Sequence, residues 1–201
     1  MSRAVYPSLK DRLVVVTGGG SGIGAAMTEE FARQGARVVF LDVADEDSMQ
    51  LAETLSDLSP ARVYLNCDLT NVDALRLCLA DVAREHGPIE VLVNNAANDD
   101  RHSLAEVTPA YWDDRMAVNL RHLYFAAQAV APAMCERGAG VILNLGSISW
   151  HLGLPDLSLY ETAKAGIEGM TRALARELGV DGVRVACIVP GNVKTPRQMK
   201  W

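Results

Sequence analysis

Short apolar runs alternate along the chain with longer stretches in which apolar residues recur at helical spacing. Six of the runs are rich in β-branched residues, and they span residues 13–17, 37–42, 62–67, 89–94, 140–147 and 183–189. The helical stretches between them span residues 24–34, 46–57, 71–86, 109–137 and 159–178. This alternation predicts an α/β fold, a doubly wound Rossmann domain in which helices cover both faces of a mainly parallel sheet.

The six runs are almost continuously apolar, which is typical of parallel strands that are buried on both faces. Several predicted helices end at a glycine, as helices commonly do. These glycines are Gly35, Gly87, Gly138 and Gly179. Because no repeat, linker or low-complexity segment divides the chain, we interpret residues 1–201 as one dinucleotide-binding and catalytic domain.

Composition narrows the possible partners. The 201 residues are 49% hydrophobic and 22% charged, and the net charge is -6. An acidic chain has no cationic field to attract nucleic acid or an anionic membrane, and no apolar run approaches the roughly 18 residues of a membrane span. Four cysteines without a CxxC pair and an N-terminus without a signal sequence predict a cytoplasmic protein, and the four histidines lack metal-ligand spacing.

A glycine-rich segment, TGGGSGIG at residues 17–24, follows the first predicted strand and opens the first predicted helix. Gly18, Gly22 and Gly24 would let the backbone turn tightly and approach a pyrophosphate at the helix N-terminus. Ser21 and Ile23 lie between these glycines and complete the candidate phosphate loop.

Asp42 ends the second predicted strand, at the distance along the chain where a carboxylate binds the adenosine ribose hydroxyls of a dinucleotide. Its negative charge would repel a 2'-phosphate, and neither Ser21 nor Val43 supplies a compensating cation. The sequence therefore predicts NAD rather than NADP as cofactor. The alternative is an ordinary solvated aspartate at a strand end.

Further candidates for cofactor contact follow the carboxyl ends of the later strands, where a doubly wound sheet binds its ligand. They are Asp68, Leu69, Asn94, Ala96, Pro190, Gly191, Val193 and Thr195. Ser147 follows the fifth predicted strand. Tyr160 and Lys164 lie four residues apart near the start of a predicted helix and so share one face. A nearby ammonium favours the phenolate form of a tyrosine, although most such pairs are only helix surface.

Taken in order, TGGGSGIG, NNAA, Ser147, YETAK and PGNVKT resemble the short-chain dehydrogenase/reductase family over essentially the whole chain. The resemblance implies that Tyr160 is the general acid/base, that Lys164 lowers its pKa and binds the nicotinamide ribose, and that Ser147 orients the reacting oxygen. It also implies that Asn119, in a kinked helix, holds a water in a proton relay to the lysine.

Residues 94–102 and 147–179 are similar in particular to bacterial NAD-dependent aldose dehydrogenases. That resemblance implies transfer of a hydride from the anomeric carbon of an aldopentose, with D-xylose expected, to NAD, which gives the sugar lactone. The candidate substrate residues, besides Ser147 and Tyr160, are Asn98 and His151. Other polar side chains on the same two loops are Asp99, Arg101, His102 and Trp150.

Members of this family continue after PGNVKT with a substrate loop, a seventh strand and a helix. The resemblance therefore leaves two interpretations open: the chain is a truncated or incompletely represented form of a longer enzyme, or it is a natural fragment that keeps the cofactor site without the complete substrate lid. Residues 109–137 carry large apolar side chains over more than one helical face, which predicts a homo-oligomer. The resemblance implies that it is a homodimer or homotetramer. Two alternatives stay open. One is another carbonyl reductase or alcohol dehydrogenase of the family, such as a 3-oxoacyl carrier-protein reductase, and the other is a non-catalytic dinucleotide-binding module.

Overall fold

A computed structural model describes residues 4–58, 62–195 and 198–200. Its centre is a six-stranded sheet in the order β3-β2-β1-β4-β5-β6, and every strand pair is parallel. The strands are β1 Leu13–Thr17, β2 Arg37–Asp42, β3 Arg62–Asn66, β4 Val91–Asn94, β5 Gly140–Leu145 and β6 Val183–Ile188.

Helices connect consecutive strands. The α-helices are α1 Gly22–Arg33, α2 Asp45–Thr54, α3 Val72–His86, α4 Pro109–Met116, α5 His122–Glu136, α6 Ser149–Leu152 and α7 Ser158–Gly179. Short 3-10 helices lie at Pro7–Leu9, Leu104–Glu106 and Gln198–Lys200. The predicted α/β, doubly wound Rossmann fold is confirmed.

Successive residues of the central strands point to opposite faces of the sheet, and this alternation produces two hydrophobic cores. On one face, Val15 and Leu41 pack against α3 and α5. On the other face, Val14 and Phe40 pack against α1 and α2. The central strands are buried on both faces for this reason.

The order of the strands also fixes where a ligand can bind. The chain runs outward from β1 through β2 to β3, and it then returns to place β4 on the other side of β1. The connections after β1 and β4 therefore leave the sheet in opposite directions, which opens a crevice at the carboxyl ends of these two strands. Thr17 and Asn94 are paired across this point in the register.

The helices differ from the sequence prediction in three places. The single helix predicted for residues 109–137 is interrupted by a π-helical segment at Ala117–Arg121, and the short helix α6 was not predicted. Gly179 is the last residue of α7 instead of following it, and the left-handed conformation after that helix is at Gly182, with φ +78°.

The expectation that all six strands are buried on both faces is wrong for β3 and β6, which lie at the two ends of the strand order. In β3, Val63, Tyr64 and Leu65 are half-buried and Asn66 is exposed. Val183 is buried, but Arg184, Ala186 and Ile188 are exposed. Within the described part of the chain β6 has one strand partner, β5, so it forms an edge of the sheet.

No helix among the described residues is long and apolar enough to span a membrane.

Candidate active site

A cleft of about 1080 Å³ lies at the carboxyl ends of the strands. Ligand pockets in proteins typically measure about 300–1,000 Å³, so this cleft is large enough for a dinucleotide and a small second molecule. It brings together most of the candidates from the sequence. The predicted residues that line it are Gly18, Ser21, Gly22, Ile23, Gly24, Asp42, Asp68, Leu69, Ala96, Asn98, Ser147, Tyr160, Lys164, Pro190, Gly191, Val193 and Thr195.

Several glycines of the loop between β1 and α1 have no room for a side chain. Gly18 has φ +62°, a conformation that L-residues rarely adopt. A Cβ on Gly24 would lie 1.8 Å from the carbonyl oxygen of Gly18. The Asn95 amide donates to the carbonyl oxygens of Thr17, at 3.0 Å, and Gly18, at 2.9 Å, so the loop is also tied to the segment after β4.

This loop can accept an anionic group. Ser21 precedes the first turn of α1, and its side chain makes no capping hydrogen bond. The first N–H groups of a helix have no acceptor inside the helix and carry its positive dipole end, and here they open into the cleft beside glycines without side chains. The residues present therefore fit the pyrophosphate of a dinucleotide.

Gly24→Ala should lower the free energy of unfolding by about 3 kcal/mol and weaken dinucleotide binding at least tenfold. The added methyl group meets the backbone oxygen of Gly18, which cannot move away without opening the loop. Thermal unfolding and cofactor titration measure both effects. Gly169→Ala is the matched control, since a Cβ there meets no atom within 4 Å. An unchanged Gly24→Ala variant would contradict the close packing of this loop.

Asp42, the last residue of β2, lies beside the glycine loop. Its Oδ2 accepts a hydrogen bond from the N–H of Gly20 at 2.9 Å, and its Oδ1 accepts from the N–H groups of Val43 and Ala44 at 2.8 and 3.0 Å. Two carboxylate oxygens can accept about four hydrogen bonds, so three backbone contacts fix the group and leave one acceptor position on Oδ2. That position suits a ribose hydroxyl.

The hydroxyl of Ser48 lies beside this carboxylate, and it is buried without a hydrogen-bond partner. A Cβ built on Gly20 would meet both the Ser48 hydroxyl and the Asp42 carboxylate. Of the described side chains that line the cleft, those of Arg101 and Lys164 are cationic, and they belong to the loop after β4 and to α7. Neither belongs to the elements around Asp42.

Tyr160 and Lys164 occupy successive turns of α7 and both line the cleft. The ammonium nitrogen of Lys164 lies 5.3 Å from the centre of the Tyr160 ring, and it donates to the carbonyl oxygen of Leu145 at 2.7 Å. An ammonium has three protons, so two are left for groups in the cleft. A positive charge in this position can act on a group bound in the cleft and on the phenol of Tyr160.

Lys164 is 2% exposed. Burial lowers its pKa to about 8, because removal from water disfavours the charged ammonium, while Cys187 and Asp99 act in the opposite direction and favour it. At neutral pH the ammonium stays protonated, so the site keeps its positive charge.

Asn119 lies in the π-helical segment, where it is fully buried. Its side-chain oxygen accepts from the N–H of Asn98 at 2.8 Å, and its amide donates to the carbonyl oxygens of Asn98 and Arg115, both at 3.0 Å. The side chain thus holds both backbone groups of Asn98, which lines the cleft. Asn119 contacts the loop after β4 through its side chain and positions it.

The structure does not bring three of the predicted site residues, Asn94, Asn119 and His151, into the described lining of the cleft. Asn119 lies behind the lining, as described above. Asn94 is 1% exposed, and its amide donates to Asn144 and to the carbonyl oxygen of Leu123 inside the core. The imidazole of His151 stacks on Trp150 and lies 3.1 Å from the carboxylate of Glu168. Neither Trp150 nor Glu168 belongs to the described lining of the cleft.

The sequence analysis did not single out Asn95 or Thr17 as site residues. The hydroxyl of Thr17 accepts from the N–H groups of Asn95 and Ala96, at 3.0 and 3.2 Å. Together with the Asn95 amide it fastens the end of β1 to the segment after β4. The repeated asparagine in NNAA was the sequence feature that could have pointed to Asn95.

Among the described residues no group of three or more His, Cys, Asp or Glu side chains could hold a metal ion.

Comparisons with known proteins agree with this geometry. The family model described as short chain dehydrogenase matches residues 12–201. The chain is 64% identical to D-xylose 1-dehydrogenase of Caulobacter vibrioides over 201 residues, which is 100% of this chain and 79% of that protein. It is 50% identical over 196 residues to a Rhizobium meliloti protein assigned as a galactose dehydrogenase, covering 97% of this chain and 77% of that one.

A solved structure shares the fold. It belongs to a Sinorhizobium meliloti protein assigned as a short-chain alcohol dehydrogenase, and it superposes with a TM-score of 0.88 at 31% sequence identity. The alignment covers 92% of this chain and 74% of that chain.

Proposed function

We propose that this chain, which belongs to the short-chain dehydrogenase family, oxidises the anomeric carbon of an aldose. D-xylose is the proposed substrate and NAD the proposed cofactor. The observation that carries this proposal is the 64% identity to D-xylose 1-dehydrogenase over the whole chain. The chain is accordingly an oxidoreductase that acts on CH–OH groups with a nicotinamide dinucleotide.

Tyr160 is the proposed proton acceptor. The phenolate form, stabilised by the ammonium of Lys164 at 5.3 Å from its ring, takes the proton of the C1 hydroxyl. Negative charge then develops on the C1 oxygen, and a hydroxyl donor such as Ser147, which lines the same cleft, stabilises it. Asn119 supports these steps indirectly by holding Asn98 at the edge of the cleft.

A bound NAD would supply the acceptor for the hydride of C1. The residues that would hold it are the glycine loop at the pyrophosphate, Asp42 at the adenosine ribose and Lys164 at the nicotinamide ribose. Asp68, Leu69, Ala96, Pro190, Gly191, Val193 and Thr195 line the same cleft and are proposed contacts. Asn98 is the proposed substrate contact on the loop after β4, whereas the imidazole of His151 contacts Glu168.

Asp42→Ala should weaken NAD binding by about 1.5–3 kcal/mol, the usual worth of hydrogen bonds to a charged group, and should reduce discrimination against NADP. The variant loses the carboxylate that both accepts from the ribose and repels a 2'-phosphate. Dissociation constants for NAD and NADP provide the test, with the exposed Asp57→Ala as the charge-matched control. A wild-type preference for NADP would overturn the assignment of the cofactor.

The substrate is tested by following NADH formation with D-xylose, L-arabinose, D-galactose, D-glucose, L-fucose and simple secondary alcohols. D-xylose should give the highest kcat/KM. The 50% identity to a protein assigned as a galactose dehydrogenase makes D-galactose the second candidate. Epimers can differ by a single hydrogen bond in the site, so the panel separates them directly. Activity on acyl thioesters without activity on sugars would overturn the proposal.

We also propose that the protein forms a homo-oligomer. Trp112 on α4 and Tyr124 on α5 are 44% and 47% exposed, so this pair of helices presents large aromatic side chains on the surface of a single chain. Light scattering on the purified protein tests this, and a monodisperse monomer would contradict it.

The cytoplasm is the proposed compartment, because all four cysteines are free thiols.

A further inference from the structure

The hydroxyl of Ser147 is held by two hydrogen bonds from a single neighbouring residue. The backbone N–H of Ser149 donates to Ser147 Oγ at 3.2 Å, and the Ser149 hydroxyl donates to the same atom at 2.9 Å. A serine hydroxyl has one proton and two acceptor lone pairs. Both acceptor positions of Ser147 are therefore used, and its remaining capacity is to donate.

The backbone around the two serines is fixed. Ser147 lies between β5 and α6, and Ser149 is the first residue of α6. Gly146 N–H donates to the carbonyl oxygen of Ile188 at 2.8 Å, and Ile148 N–H donates to that of Pro190 at 3.1 Å. These bonds join the turn to β6 and to the segment after it, so the separation of the two hydroxyls follows from the fold.

Both serines belong to the cleft. Ser149 lines it together with Ser147 and Tyr160, and it is only 6% exposed. Bulk water therefore has little access to the Ser149 hydroxyl. A hydrogen bond in such a shielded place holds its geometry better than one that water can replace.

We propose that Ser149 is a positioning residue that directs the proton of Ser147 towards the reacting oxygen. The inference rests on the proposed function. When Tyr160 removes the C1 hydroxyl proton, the C1 oxygen becomes negative, and it gains most from a donor that already points at it. Without the Ser149 hydroxyl, one lone pair of Ser147 is free, and the Ser147 proton can turn away from the substrate.

Ser149→Ala removes the hydroxyl donor and keeps the backbone N–H. We expect kcat to fall by about threefold to tenfold, which is what the loss of one hydrogen bond between uncharged groups is worth, with KM for NAD unchanged. In a Ser147→Ala background the same change should have no further effect, because the group on which Ser149 acts is gone. Ser56→Ala, an exposed serine outside the described cleft lining, is the control.

The four combinations of the two alanine changes are compared by initial rates, with melting temperatures to confirm folding. The substrate is whichever sugar or alcohol the wild type oxidises, so a failure of D-xylose oxidation changes the proposed substrate and leaves this test intact. An Ser149→Ala variant as fast as the wild type would overturn the inference. An equal fold loss in both backgrounds would also overturn it, because a merely structural role of Ser149 is independent of Ser147.

Discussion

Replacing Tyr160 by phenylalanine should lower kcat for sugar oxidation by about 10³-fold, within the range that a positioned acid/base group contributes. The change removes the phenolic oxygen that we propose takes the C1 hydroxyl proton, and it keeps the aromatic ring beside Lys164. The position of the lysine should survive, because its ammonium also donates to the carbonyl oxygen of Leu145. NAD affinity should therefore stay within about twofold of the wild type.

The measurement compares kcat from NADH formation with the dissociation constant of NAD for the same preparations. Tyr6→Phe is the matched control, since Tyr6 is exposed near the start of the chain and outside the described lining of the cleft. It loses the same atom and should keep its activity. Substantial turnover by a folded Tyr160→Phe variant would remove Tyr160 from the role of proton acceptor.

Much of the cofactor part of the cleft could be predicted from sequence because its signals are local. The glycine loop lies directly between an apolar run and a helical pattern, and Asp42 ends the next apolar run, so strand order alone brings these residues to one crevice. The bounds of β1 and β2 match the prediction, because hydrophobic runs with clear ends define central strands well.

Contacts between distant side chains could not be predicted in this way. His151 lies on a loop where a polar side chain looks available to a substrate, but Glu168, seventeen residues further on, accepts from Trp150 and approaches His151. Asn94 and Asn95 are adjacent at the end of β4. At the end of the strand, the side chain of Asn94 points into the core and that of Asn95 bonds to the glycine loop. A register shift of one residue would exchange the two positions, so the sequence alone does not say which asparagine faces the loop.

The π-helical segment was hidden for a different reason. Apolar residues continue at helical spacing through residues 109–137, and a single inserted turn of another type leaves no mark in such a pattern. The consequence appears only in three dimensions, where Asn119 reaches both backbone groups of Asn98. Asn119 could be singled out only through the family resemblance.

Lys164→Met should lower kcat/KM by about 10²-fold, because the phenolate of Tyr160 loses the positive charge that stabilises it. NAD binding should weaken as well, since two ammonium protons left for the cleft are lost. The methionine side chain has a similar length and an apolar end, so it suits the buried position without the cost of burying a charge. Activity and stability should therefore respond differently to the same substitution.

The stability difference between the wild type and Lys164→Met should depend on pH in a defined direction. Burial lowers the pKa of Lys164 from 10.5 to about 8, so below pH 8 the ammonium is charged in both the folded and the unfolded protein and the difference is constant. Between pH 8 and 10.5 the folded protein releases this proton while the unfolded chain keeps it. Because the unfolded state then binds more protons, the wild type gains stability relative to the variant, by up to about 1.4 kcal/mol per pH unit.

Denaturant unfolding of both proteins between pH 6 and 10 measures this difference, and subtraction removes the titration of all groups that the two proteins share. Lys10→Met, at an exposed lysine, should give a difference that stays nearly flat over the same range. A flat difference for Lys164→Met would mean that its ammonium keeps an ordinary pKa in the folded protein. The charge beside Tyr160 would then be well solvated, and its stabilisation of the phenolate would be correspondingly weak, since water screens it.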